Sequence, residues 1–124
     1  SNERHDLRVR PAHSAPIRLD MQGENFVKVL YAKNISLGGL GVSVPSGVDH
    51  CALEKPIRLT IQLVEPFRQE IVIQGKICHI SNNMFGVKYE AMSPTNHKKL
   101  KQYIYSRIAH EHWLVRWLFK IGVC

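Results

Sequence analysis

Arg4 and Arg8 stand four residues apart in a polar N-terminal segment, SNERHDLRVRPAH, and Arg10 follows two residues on. A guanidinium grips a phosphate with two parallel N–H bonds and stacks on a purine face. It also matches the O6/N7 edge of guanine. Two such groups on one mobile arm can close over a guanine nucleotide. His5 and Arg10 are secondary candidates for the same work. The plainer alternative is a solvated basic tail. A second group lies downstream, where Asn34, Ser36 and Gly39 form NxSxxG directly after an apolar run, with Gly38 beside them. Asn and Ser bring short polar groups that bond guanine N–H donors or a phosphate oxygen. Adjacent glycines allow a tight turn and close backbone approach. The plainer alternative here is a capped β-turn, since Asn, Ser and Gly are ordinary turn residues.

The elements that must position these groups follow from periodicity. Residues 1–13 have no clear period and contain Pro11, which reads as a flexible arm carrying the arginines. Short β-like runs begin at Ala15: APIRL is a first strand and FVKVLYA, 26–32, a second. Leu40, Val42 and Val44 alternate until Pro45-Ser46-Gly47 breaks the run. Ile57, Leu59, Ile61 and Leu63 recur with period two, the mark of a half-buried strand. Ile71, Ile73 and Ile77 share one face of the next run, with Gly75 as a candidate bulge. Asn82-Asn83 reads as a hairpin turn before Phe85, Val87 and Tyr89, which alternate again. Six short strands between frequent turns predict a small antiparallel barrel or sandwich over 14–92. At Ser93-Pro94 the period changes: an N-cap Ser precedes a Pro at the first helical position. Leu100, Tyr103, Ile104 and Ile108 then fall on one helical face, so 93–124 reads as a C-terminal helix with an apolar tail.

Whole-chain properties narrow the class. At 124 residues, 44% hydrophobic and 22% charged, the chain suits one soluble domain with its own core. No run of about 18 apolar residues occurs, so no transmembrane helix is expected. Seventeen Lys and Arg against ten Asp and Glu give +7, a surface that draws anions. Cys51, Cys78 and Cys124 are odd in number and form no CxxC pair, which favours a reducing cytoplasm over a disulfide framework. Cys78, inside an apolar run, reads as a buried small hydrophobe. No metal is expected: His110 and His112 at i, i+2 diverge on a helix. Neither a G-x-S-x-G elbow nor a P-loop is present, and an enzyme is the least favoured class. The Trp113–Phe119 patch has three readings, in order: core packing or homodimer formation through the C-terminal helix, docking on a partner protein, and contact with a membrane surface.

ERHDLRV followed by KNISLGGLGV resembles the two signature segments of the PilZ family, RxxxR and [D/N]xSxxG. The gap of about 25 residues holding two strands suits that family, and GVKYEAMSP resembles its GVxF…LSP segment. The resemblance covers residues 3 to about 107. It implies a six-stranded β-barrel with a C-terminal helix, no cofactor, and cyclic di-GMP as ligand. Arg4 and Arg8 would clamp phosphate and guanine, and Asn34, Ser36 and Gly39 would floor one guanine. Many members carry a further Arg just before RxxxR; here it is Glu3, which leaves one or two bound ligands open. The implied output is a signal to an effector protein or parent-protein domain in motility, exopolysaccharide or biofilm control. Two rivals stand beside it: the same fold as a protein adaptor that binds no nucleotide, and a small-barrel nucleic-acid binder. Against the second, the aromatics do not cluster with basic residues on one strand face, so no nucleic acid is expected.

Overall fold

A computed structural model of the chain describes residues 7–44, 54–81 and 83–110. Six strands, β1 (Arg18–Gln22), β2 (Val27–Ile35), β3 (Gly39–Ser43), β4 (Pro56–Leu63), β5 (Gln69–Ser81) and β6 (Met84–Ala91), precede one helix, α1 (Pro94–His110). The strands close into an antiparallel barrel in the order β1-β2-β3-β6-β5-β4. Closure pairs every strand on both sides, so the barrel presents no open edge.

The period-two residues fill the interior. Leu59, Ile61, Ile71, Ile73, Leu40 and Val42 are all buried, as are Phe85 and Val87. Helix α1 starts where the sequence signals it: the Ser93 hydroxyl accepts from the Asn96 amide at 3.1 Å, and Pro94 opens the helix. Leu100, Tyr103 and Ile104 join the barrel core. Asn96 Nδ2 donates to the Val72 carbonyl at 2.9 Å, which holds α1 against β5. Among the described residues, no helix is long and apolar enough to cross a membrane.

Three expectations need correction. The first strand is not APIRL: it begins at Arg18 and runs to Gln22, because those residues pair with β2 on one side and β4 on the other. Pro16 has no N–H to give a ladder. The second strand does not stop at Ala32 but continues through Asn34 and Ile35, which pair with Gly41 and Leu40. Cys78 is exposed, not buried. Ile77 faces the core, Cys78 points the other way, and a register shift between Ile77 and His79 keeps that segment outside. Arg4, His5, Cys51, Asn82, His112, Cys124, the Pro45–Gly47 break and the Trp113–Phe119 patch lie outside the described residues.

Candidate functional site

The NxSxxG segment is a strand end and a tight hairpin. Ile35 pairs with Leu40, and the Ser36 amide donates to the Gly39 carbonyl at 2.8 Å, leaving Leu37 and Gly38 as the loop. The Ser36 hydroxyl is buried within this turn. It accepts from the Gly39 amide at 3.2 Å and the Gly38 amide at 3.3 Å, and donates to the Gly39 carbonyl at 3.1 Å. Ser36 therefore shapes the turn from inside. Gly38 is its exposed tip, and the Gly38 carbonyl accepts from the Tyr89 amide of β6 at 3.0 Å. Gly39 lies so close to β6 that a Cβ there would collide with the Val87 carbonyl oxygen.

Asn34 reaches the outside of the barrel through a bulge. Ala32 and Ile35 are both buried although they are three positions apart, which simple alternation forbids. The register shifts between Ala32 and Asn34, so one extra residue is inserted and Asn34 turns outward with Lys33. Gly41 faces it across the ladder; a Cβ there would stand 3.0 Å from Asn34 Oδ1 and 3.1 Å from Nδ2. The carboxamide occupies the space that the missing side chain leaves.

The arm is pinned beside this strand end. Val9 exchanges two backbone hydrogen bonds with Ile35, each 3.0 Å, and is buried in the core. With Val9 facing in, Arg8 and Arg10 face out, and both are exposed. Arg8 Nη1 donates to Asn34 Oδ1 at 2.7 Å, joining the two motif segments across 26 residues of chain. From α1, the nearly buried Arg107 donates through Nε to the Arg10 carbonyl at 2.8 Å. Lys33, and Lys88 opposite Gly39, add positive charge around the turn. Neither Lys33, Lys88, Arg8 nor Arg10 forms an ion pair among the described residues.

Tyr89 is tied to the turn by its amide. Burial pushes its hydroxyl pKa well above the ordinary tyrosine value, and the nearby Arg8 guanidinium pulls weakly the other way. The structure thus gathers Arg8, Asn34, Gly38 and Gly39 at one place, with Arg10 beside them and Ser36 beneath. Gly41, Tyr89 and Arg107 were not singled out from sequence. For Arg107 a signal exists: it lies seven residues after Leu100 and three after Ile104, so a charged residue occupies the apolar stripe of α1. For Tyr89 and Gly41 only the strand pairing reveals the role. The cluster offers a forked cation, a carboxamide and a shallow glycine-lined surface. That is the chemistry of an anionic ligand with a hydrogen-bonding edge.

Comparison with known proteins bears on the family and the fold. A family model described as PilZ domain matches residues 2–106. Among solved structures, the chain is similar to the inhibitor of motility MotI/DgrA of Bacillus subtilis, with TM-score 0.71 and 21% identity, covering 85% of this chain and 51% of that one. The PilZ domain of YcgR from Escherichia coli, solved with c-di-GMP, gives TM-score 0.67 at 14% identity over 89% and 95% of the two chains. The PilZ domain of CeSA from a cellulose-synthesizing bacterium gives TM-score 0.59 at 13% identity over 82% and 97%. The chain spans about half the length of the Bacillus subtilis protein. At these identities the likeness concerns the fold. No curated protein matches the chain.

Proposed function

The chain belongs to the PilZ domain family, and from that premise we propose that it is a receptor for cyclic di-GMP that passes the signal to a partner protein or domain. One observation carries the reading: the 2.7 Å contact between Arg8 and Asn34, which unites RxxxR with NxSxxG on the outside of the barrel. A cyclic dinucleotide has two phosphates and two guanines. Arg8, with Arg4 four residues earlier in the sequence, takes phosphate and guanine in forked bonds. Asn34 and the Gly38–Gly39 tip support one guanine. A ligand shifts the arm only through its preference for the closed form, and the Arg107–Arg10 bond offers a route from the arm to α1. The YcgR domain solved with c-di-GMP supports the choice of ligand.

The test is isothermal titration calorimetry with cyclic di-GMP, using GTP and cyclic GMP as controls. Selective saturable binding is expected, weakened at least about 10-fold by Arg8→Ala, since a hydrogen bond to a charged group contributes roughly 1.5–3 kcal/mol. Arg8→Ala should leave the melting temperature nearly unchanged, because the side chain is exposed. Absence of binding by the folded protein at high micromolar ligand would reject the reading and leave the adaptor in its place.

A further inference from the structure

Tyr89 lies on β6 opposite Gly75, and its amide donates to the carbonyl of Gly38 at the tip of the turn. Alternation from Phe85 and Val87 turns its ring toward the core, against which it packs while the residue as a whole stays only half-buried. The hydroxyl at the end of that ring is buried and has no hydrogen-bond partner among the described residues. Buried tyrosine hydroxyls normally find one, so this exception calls for a reason. The Arg8 guanidinium is close enough for its charge to act on the hydroxyl.

Among the described residues no acceptor stands within hydrogen-bond reach of this hydroxyl, and those of the neighbouring turn are already engaged. Arg8 is all donor, and Asn34 Oδ1 already accepts from it. The Ser36 hydroxyl accepts from two amides. The Gly38 and Gly39 carbonyls accept from the amides of Tyr89 and Ser36. A phosphate oxygen drawn in by Arg8 would supply several lone pairs to this donor-rich corner. We infer that the Tyr89 hydroxyl is a further ligand-binding group of this site, donating to a phosphate oxygen of the bound nucleotide. The inference rests on the receptor reading above. Arg8, exposed and bonded to Asn34, moves onto the phosphate and brings that oxygen to the hydroxyl.

Tyr89→Phe removes the hydroxyl and keeps the ring. The expected result has two parts. Without ligand the variant melts at the same temperature as the parent protein or higher, because an unpartnered buried group is gone. Cyclic di-GMP then binds about 10-fold more weakly in calorimetry, the loss of one hydrogen bond to a charged acceptor. Equal affinity in the two proteins overturns the inference while leaving the receptor reading intact. A lower melting temperature without ligand means the hydroxyl already has a partner, and that also overturns it. Failure of the unsubstituted protein to bind rejects the receptor reading and the inference with it.

Discussion

Replacing Gly39 with alanine sets a methyl group against a backbone that has nowhere to go. Its Cβ would approach the Val87 carbonyl oxygen more closely than 3.0 Å, and the Val87 carbonyl carbon at 3.4 Å. The obstacle is the β6 main chain in a closed barrel, held by the Leu40–Val87 and Gly39–Lys88 pairs and by the Tyr89–Gly38 bond. Overpacking typically costs about 1–3 kcal/mol, and a rigid neighbour places this case at roughly 2–3 kcal/mol. Unfolding entropy of about 2.1 cal/mol/K per residue over 124 residues gives roughly 0.26 kcal/mol/K. The melting temperature should therefore fall by about 8–12 °C, read by circular dichroism. Gly86→Ala is the matched control, since its Cβ would meet His79 Cβ at an ordinary 3.5 Å. That variant should melt unchanged or up to about 4 °C higher, as alanine restricts the unfolded chain. Equal melting of the two variants would refute the packing argument.

Three other outcomes follow from the same geometry. Gly41→Ala presses a methyl group on the Asn34 carboxamide, so calorimetry should show cyclic di-GMP affinity falling several-fold while stability changes by less than about 1 kcal/mol. Arg107→Ala strips the Arg10 carbonyl of its donor; it should cost about 1–3 kcal/mol and speed hydrogen exchange at the amides of Val9 and Ile35. Tyr89 has a folded pKa above its ordinary value of 10.0, so its contribution is fully present below pH 10 and is lost as pH rises further. Denaturant titrations should show the parent protein losing about 1.4 kcal/mol per pH unit above pH 10 relative to Tyr89→Phe.

Much of the fold was legible in the sequence because it rests on short-range pattern. Alternation at Ile57–Leu63 and at Ile71–Ile77 names inward faces without knowledge of any partner strand. Ser93-Pro94 announces a helix by local chemistry alone. The candidate site was legible as residue types but not as an arrangement. Alternation from Ala32 would put Asn34 inside the barrel; the bulge that turns it out exists only because Ala32 and Ile35 are both claimed by β3. The same holds for Cys78, whose apolar neighbours concealed that it faces away from Ile77. Ser36 shows the converse case. Its type suggested a ligand contact, yet the cheapest partners for its hydroxyl are the two glycine amides of its own turn. Arm residues 7–13 read as aperiodic, but Val9 is held in the core by pairing with Ile35, a contact between distant segments.

Place and ligand together define the proposed receptor site. An amide-resolved NMR titration of the chain with cyclic di-GMP tests both at once. Saturable shifts are expected at Arg8, Val9, Asn34–Gly39 and Tyr89, and in Arg8→Ala they should need at least about 10-fold more ligand. Shifts confined to the far end of the barrel, around Gln22, Gly23 and Arg58, or no shifts at all, would contradict the proposed site.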